Sequence, residues 1–136
     1  MRFIGMIDLS VPLGPTREIR VLVVDDEPSI LEVIGIYLED RGYRLTFAND
    51  GLEGLRQFES ESGKFDIIIS DRVMPAMTGD EMAAAIKSQA PQVPIILITG
   101  QHRGVPFDIS PFSAFLPKPF TRTQLLAAVD DVLPLS

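Results

Sequence analysis

The feature that most constrains this chain is a series of short, apolar segments that alternate with segments of helical periodicity. The apolar segments are rich in β-branched residues, and several end at a charged or hydroxyl-bearing residue. A near-continuous apolar run of this length is typical of a strand that is covered on both faces, as in a parallel sheet. Five strands are predicted in this way, near residues 19–24, 43–48, 65–70, 94–99 and 114–116.

Residues that start or stop helices lie between the predicted strands. Pro28 suits the first position of a helix, and Gly42 is placed to end it. Capping residues precede three further helices: Asn49 or Asp50, Thr78 with Glu81, and Thr121 with Gln124. The alternation predicts βαβ units with right-handed crossovers around a parallel sheet. Five strands fit a doubly wound, flavodoxin-like α/β fold with the order 2-1-3-4-5.

Length and composition limit the classes of protein to which the chain can belong. Its 136 residues favour a single domain, and the lack of cysteine excludes disulfides and thiolate metal sites. A net charge of −7 argues against direct binding to nucleic acid. No apolar stretch approaches the ~20 residues needed to cross a bilayer, so we expect no membrane insertion. A cytoplasmic location is the simplest interpretation.

The first 17 residues differ in character from the rest of the chain. They contain Pro12, Gly14 and Pro15 and lack a clear period. We therefore predict an N-terminal extension or linker over residues 1–17 and one domain over residues 18–136.

Chemically versatile side chains follow four of the five predicted strands. Asp25 and Asp26 follow the first strand and Asp71 the third, whereas Thr99 ends the fourth and Lys118 follows the fifth. Because the carboxyl ends of parallel strands meet at one edge of a sheet, we expect these five side chains to lie together.

Three carboxylates and one ammonium at a single edge suit phosphoryl chemistry. Crowded carboxylates repel one another unless a cation offsets their charge. A hard divalent ion such as Mg²⁺ prefers carboxylates, water and phosphate oxygens as ligands. Lys118 and Thr99 add a positive charge and a hydroxyl that can contact a phosphoryl group. An aspartate can itself be the nucleophile and form an aspartyl phosphate.

Four segments resemble the receiver domains of response regulators in two-component signalling. They are VDDE at 24–27, SDRVMPAMTG at 70–79, ITG at 98–100 and LPKPF at 116–120. The similarity extends over residues 19–133. One such segment is only moderately specific, but four in the same order, each closing a predicted strand, form a highly specific pattern.

The resemblance implies roles for the acidic residues. Asp71 matches the phosphoacceptor. Asp25 and Asp26 match the acidic pair that holds Mg²⁺, with Asp26 favoured as the direct ligand, and Asp71 also faces the metal. The backbone carbonyl of Val73 matches the remaining protein ligand.

The resemblance also implies a conformational switch. Thr99 matches the hydroxyl that turns toward the phosphoryl group, and Lys118 matches the lysine that pairs with it, ahead of a cis proline at Pro119. Phe115 matches the aromatic residue whose ring moves between outward and inward positions.

Receivers of this kind take their phosphoryl group from phosphohistidine on a sensor histidine kinase or a histidine phosphotransfer protein. They signal by contact with another protein. Apart from their own phosphorylation and slow autodephosphorylation, they are not enzymes. The resemblance therefore implies a phosphorelay component.

The segment between Thr99 and Lys118 departs from the family pattern. It is short for a receiver and contains Gly104, Pro106 and Pro111. Proline inside a helix costs about 3 kcal/mol, so we predict that the fourth helix of the fold is short, distorted or absent. The surface that receivers usually use to contact their partners includes this helix, so that role is then in doubt. The sequence leaves open a stand-alone receiver and the receiver of a hybrid histidine kinase.

Other functions are compatible with parts of the pattern. A Mg²⁺-dependent phosphohydrolase uses a similar acidic cluster, but Val73 lies where its second aspartate is expected. A pure interaction module would keep the fold without the chemistry. Considered one at a time, Asp26 would be interpreted as a helix cap, Lys118 as a surface lysine and Phe115 as a core residue. His102 is interpreted as incidental.

Overall fold

The computed structural model describes residues 18–100 and 108–133. Within them the strands are β1 (Arg20–Val24), β2 (Arg44–Ala48), β3 (Ile67–Asp71), β4 (Ile95–Thr99) and β5 (Ala114–Pro117). The helices are α1 (Pro28–Leu38), α2 (Gly51–Ser60), α3 (Gly79–Gln89) and α4 (Arg122–Val132), with a 3₁₀ turn at Glu39–Arg41.

The strands form one parallel sheet in the order β2-β1-β3-β4-β5, which confirms the predicted fold. Its register aligns the strand ends that carry the polar residues. Val24 pairs with Ser70, and Asp71 pairs with Ile98. The residues that follow β1 therefore lie beside the last residue of β3.

The hydrophobic core lies on both faces of the sheet, because side chains alternate along each strand. Val21 and Val23 pack with α1 and α4, whereas Leu22 and Val24 pack with α2 and α3. The helices contribute buried side chains to this core, among them Ile34, Leu38, Phe58, Met82, Ile86, Leu125 and Val129. A sheet covered on both faces explains why its strands are apolar throughout.

The four described helices begin where the sequence predicts, and Gly42 lies at the end predicted for the first. Pro28 is the first residue of α1, and Gly42 follows the 3₁₀ turn with a left-handed φ of 70°. Asp50, rather than Asn49, caps α2: its carboxylate accepts a 2.8 Å hydrogen bond from the backbone of Glu53. Capping boxes are present at Thr78 and Thr121. These caps fix where each helix meets the polar edge of the sheet.

Two predictions fall wholly or partly outside the described residues. The extension over residues 1–17 is one of them. The other concerns the short, distorted or absent helix predicted between Thr99 and Lys118, since residues 101–107 are also outside. Residues 108–113, the described remainder of that connection, form turns and contain no helix. None of the helices described here is long and apolar enough to cross a membrane.

Candidate functional site

An acidic cluster forms where β1 and β3 end side by side. Asp25 and Asp26 follow β1, Asp71 is the last residue of β3, and one carboxylate oxygen from each lies within 4.8 Å of the others. Asp25 and Asp71 are buried, whereas Asp26 is exposed. The structure thus brings together the three carboxylates predicted from the sequence.

Asp25 is the most deeply buried member of the acidic cluster. Its Oδ1 accepts a 2.9 Å hydrogen bond from the backbone N–H of Glu27. Burial raises the pKa of Asp25 to about 6, and the charge of Asp71 adds to the rise, while the Glu27 N–H and Lys118 oppose it. Its Oδ2 lies 3.4 Å from Nζ of Lys118, with no regular hydrogen bond from any residue described. This oxygen remains available to a cation.

Asp71 presents one carboxylate oxygen to Lys118. Its Oδ1 accepts a 2.8 Å hydrogen bond from the backbone N–H of Arg72, and its Oδ2 lies 3.6 Å from Nζ of Lys118. Burial raises the pKa of Asp71, Lys118 and the Arg72 N–H oppose that rise, and the charge of Asp26 adds to it. Because Asp71 is buried, few water molecules can contact its carboxylate.

Lys118 carries the positive charge of the site. Its Nζ lies 3.0 Å from Glu27 Oε1, in addition to its contacts with Asp25 and Asp71. Burial alone would lower the pKa of Lys118, but the three carboxylates outweigh it and the pKa is raised. Lys118 is therefore an ammonium at neutral pH. The peptide bond before Pro119 is cis, as the resemblance implied.

The predicted switch residues Thr99 and Phe115 lie on β4 and β5. Thr99 ends β4, and its backbone carbonyl accepts a 2.8 Å hydrogen bond from the N–H of Lys118. No hydrogen bond among the described residues joins the Thr99 side chain to the cluster. Phe115 lies on β5 with 45% of its surface exposed, and its ring centroid is 6.0 Å from that of Phe112. The side chain of Phe115 is therefore partly exposed to solvent.

The loop after β3 is held tightly against Asp71. The N–H of Gly79 donates a 2.6 Å hydrogen bond to the carbonyl of Arg72, and Ser70 Oγ donates to the carbonyl of Asp71 at 2.7 Å. A Cβ atom at Gly79 would lie only 2.0 Å from that same Asp71 oxygen. Only glycine fits there, so Gly79 sets how closely α3 approaches the strand end.

A groove with a volume of about 690 Å³ opens beside Asp71. Its polar lining includes Asp26, Glu27, Asp71 and Lys118, and exposed Val73 also lines it. Its apolar end lies along α1, where the rings of Tyr37 and Phe120 meet edge to face at 6.2 Å. Further apolar lining comes from Ile30, Val33 and Pro119. The buried carboxylate of Asp71 therefore lies at an opening with an apolar side.

The donor set of the acidic cluster fits a hard divalent cation such as Mg²⁺. All three side chains offer carboxylate oxygens, and Oδ2 of Asp25 is buried without a regular hydrogen bond from the described residues. A cation there would offset the repulsion between Asp25 and Asp71 that helps to raise the pKa of Asp25.

Comparison with known proteins identifies the family. The family model of the response regulator receiver domain matches residues 21–130. The chain belongs to this family. The receiver is 36% identical over 121 residues to the transcriptional regulatory protein GlrR of Escherichia coli, covering 86% of this chain. It is 34% identical over 118 residues to the sensor kinase CckA of Brucella abortus, covering 83% of this chain.

A solved structure shows the same fold. The response regulator TrrA of Thermotoga maritima, in complex with Mg²⁺ and BeF, superposes with a TM-score of 0.76 at 34% identity. The match covers 85% of this chain and 99% of TrrA. By contrast, the receiver spans only 27% of GlrR and 12% of CckA. The similarity thus covers only part of the length of each of these two proteins.

Two residues of the site were not singled out from the sequence. Glu27 makes the shortest carboxylate contact with Lys118, and Gly79 allows α3 to approach Asp71. Glu27 directly follows the acidic pair in the sequence, and this adjacency is the signal that could have identified it. Gly79 follows the capping residue Thr78, where only a structure reveals the close approach.

Proposed function

We propose that this receiver accepts a phosphoryl group on Asp71 from the phosphohistidine of a sensor histidine kinase or a histidine phosphotransfer protein. The observation that supports this function is the pairing of Asp71 Oδ2 with Lys118 Nζ at 3.6 Å, beside two further carboxylates within 4.8 Å. A nucleophilic carboxylate, an ammonium and a cation-binding cluster are the parts that phosphoryl transfer requires.

The transfer exchanges one bond to phosphorus for another. A carboxylate oxygen of Asp71 attacks the phosphorus, the P–N bond of phosphohistidine breaks, and the imidazole leaves with a proton from solvent. Lys118 offsets the charge of the phosphoryl oxygens. In autodephosphorylation, water attacks the phosphorus, the bond to the Asp71 oxygen breaks, and phosphate is released.

The acidic cluster is assigned to hold Mg²⁺. Asp25, Asp26 and Asp71 would contribute carboxylate oxygens and Val73 its backbone carbonyl. When bound, Mg²⁺ neutralises charge on the phosphoryl oxygens as the transfer proceeds. Asp26 is exposed and Asp25 is buried, so Asp26 is the member of the pair that a cation reaches first from solvent.

The response to phosphorylation is assigned to Thr99, Lys118 and Phe115. The phosphoryl group adds charge and acceptor oxygens at Asp71. The Thr99 hydroxyl and the Lys118 ammonium move toward these oxygens, and the exposed ring of Phe115 moves inward. Reversing a 99:1 ratio of inactive to active states needs about 5.5 kcal/mol of differential interaction. The altered surface then signals by protein contact.

The groove beside Asp71 suits a protein donor. Its apolar end, formed by Ile30, Val33 and Tyr37 of α1 together with Phe120, can bury apolar side chains next to the phosphoacceptor. Asp71 is only 4% exposed and lines this groove, so the groove offers a donor histidine a path to it. The lack of cysteine fits a cytoplasmic setting for the relay.

Phosphoramidate tests the class of donor, because it carries the P–N bond of phosphohistidine without the protein. We expect one phosphoryl group per chain in the presence of Mg²⁺, detected by intact mass, and slow release of phosphate afterwards. Rapid multiple turnover of a phosphomonoester without a stable adduct would contradict this function and favour the phosphohydrolase.

A further inference from the structure

Three carboxylates contact the ammonium of Lys118, and one of them lies outside the acidic cluster. Asp25 and Asp71 approach Nζ to 3.4 and 3.6 Å and belong to the predicted metal site. Glu27 Oε1 approaches Nζ to 3.0 Å, the shortest of the three contacts, yet it is not part of that cluster. The Glu27 side chain therefore holds Lys118 without competing for the cation.

The backbone and the side chain of Glu27 have separate tasks. Glu27 is the N-cap residue of α1, and its carbonyl accepts hydrogen bonds from Ile30 and Leu31 at 3.0 and 3.3 Å. Its side chain makes no capping hydrogen bond. The 58% exposed carboxylate instead reaches across to β5, 91 positions along the chain, to contact Lys118. The contact with Lys118 is thus not a by-product of helix capping.

We propose that Glu27 is a positioning residue that holds Lys118 at the mouth of the site and competes with the phosphoryl group for its ammonium. This inference rests on the proposed function and deepens it. When Asp25 and Asp71 bind a cation, they hold Lys118 less strongly, and Glu27 becomes the main remaining carboxylate on its ammonium. The phosphoryl group then has to draw Lys118 away from Glu27, which sets how readily the active arrangement forms.

Binding of beryllofluoride, a phosphoryl analogue, tests this competition at saturating Mg²⁺. Glu27→Gln keeps the size of the side chain and removes its charge. We expect Glu27→Gln to bind beryllofluoride about two- to fivefold more tightly by calorimetry, the range expected for a partly exposed ion pair. Unchanged or weaker binding would overturn the proposal.

A second variant separates contact from long-range charge. Glu27→Asp retains the charge but is one methylene shorter, so it loses the contact with Nζ of Lys118. If Glu27 acts through this contact, Glu27→Asp binds beryllofluoride as tightly as Glu27→Gln. If only the local charge matters, Glu27→Asp behaves as wild type, and the positioning role is wrong.

Glu32→Gln is the matched control, because Glu32 is exposed on the same helix and its substitution changes the net charge by the same amount. We expect it to bind beryllofluoride as wild type does, and thermal melts in the absence of Mg²⁺ show whether each variant is folded. Wild-type protein that fails to bind beryllofluoride would contradict the proposed function. Wild-type binding that Glu27→Gln leaves unchanged would contradict only the role of Glu27.

Discussion

Nζ of Lys118 lies 3.6 Å from Oδ2 of Asp71, although β4 separates the strands that carry the two residues. Lys118 follows β5, and its side chain passes the end of β4 to reach β3. The N–H of Lys118 is bonded to the carbonyl of Thr99, which fixes the start of that path. The ammonium is thus directed at Asp71, although the strands that carry the two residues are not neighbours.

The buried charge of Asp25 is expected to destabilise the fold when no cation is bound. Its pKa of about 6 lies above the ordinary value of 3.8, so the folded state binds the proton more tightly. Stability should therefore fall as pH rises from about 4 to about 6 and stay low above that. Asp25→Asn has no carboxyl group to ionise at this position, so its stability should decrease less as pH rises. The variant should be more stable than wild type at pH 7 by about 1–3 kcal/mol.

Denaturant unfolding in Mg²⁺-free buffer measures this difference across the pH range. Added Mg²⁺ should stabilise the wild type more than Asp25→Asn, since the variant has lost one carboxylate ligand. Asp131→Asn, at an exposed position of α4, is the control and should follow the wild type. Equal pH dependence in wild type and Asp25→Asn would show that Asp25 is not a strained buried charge.

The ion pair between Arg41 and Asp130 predicts the opposite pH dependence. Arg41 holds both carboxylate oxygens of Asp130, at 2.7 and 3.2 Å, and lowers the pKa of Asp130. The pair thus contributes stability above the ordinary aspartate pKa, which is lost as pH falls through the lowered one. Because Asp130 is exposed, Asp130→Asn should cost no more than about 1 kcal/mol at pH 7. The unfolding free energies of variant and wild type should begin to approach each other as pH falls below about 4, and should converge once pH is below the lowered pKa of Asp130.

Gly79 is predicted to be intolerant of even a methyl group. A Cβ atom at this position would lie 2.0 Å from the Asp71 carbonyl oxygen, a backbone atom that cannot move without displacing Asp71 itself. Gly79→Ala should therefore destabilise the protein by at least about 2 kcal/mol. Gly35→Ala is the matched control on α1, where the new atom would lie 3.4 Å from the Phe47 ring. Replacing a helical glycine there should be neutral or stabilising by up to about 1 kcal/mol.

Chemical denaturation of both glycine variants gives the two values. A Gly79→Ala protein as stable as the wild type would mean that α3 does not pack against Asp71 as closely as described.

The proposed switch can be followed at Phe115, a residue that is 45% exposed. If Thr99 couples the phosphoryl site to this ring, Mg²⁺ with beryllofluoride should bury Phe115, seen as a shift of its ring signals in NMR spectra. Thr99→Ala should bind the analogue more weakly and leave the ring outward. Thr99→Ser keeps the hydroxyl and should restore the movement. A ring that moves equally in Thr99→Ala would exclude the hydroxyl as the coupling group.

Much of the fold and most of the site could be predicted from the sequence, because both depend on local patterns. Apolar runs and capping residues fix strands and helices, and a parallel sheet brings Asp25, Asp71 and Lys118 to one edge whatever their separation along the chain. The contact between Glu27 and Lys118 depends instead on side-chain direction, which no local pattern encodes. The close approach of Gly79 to Asp71 is likewise a property of packing.

The role of Asp71 is the central claim, and it is tested most directly by intact-mass spectrometry after incubation with acetyl phosphate. Wild type with Mg²⁺ should gain a single acid-stable, base-labile phosphoryl group, which is absent with EDTA and in Asp71→Asn but retained in Asp131→Asn. An Asp71→Asn protein that gains the same phosphoryl group as wild type would contradict the assignment of Asp71 as the phosphoacceptor.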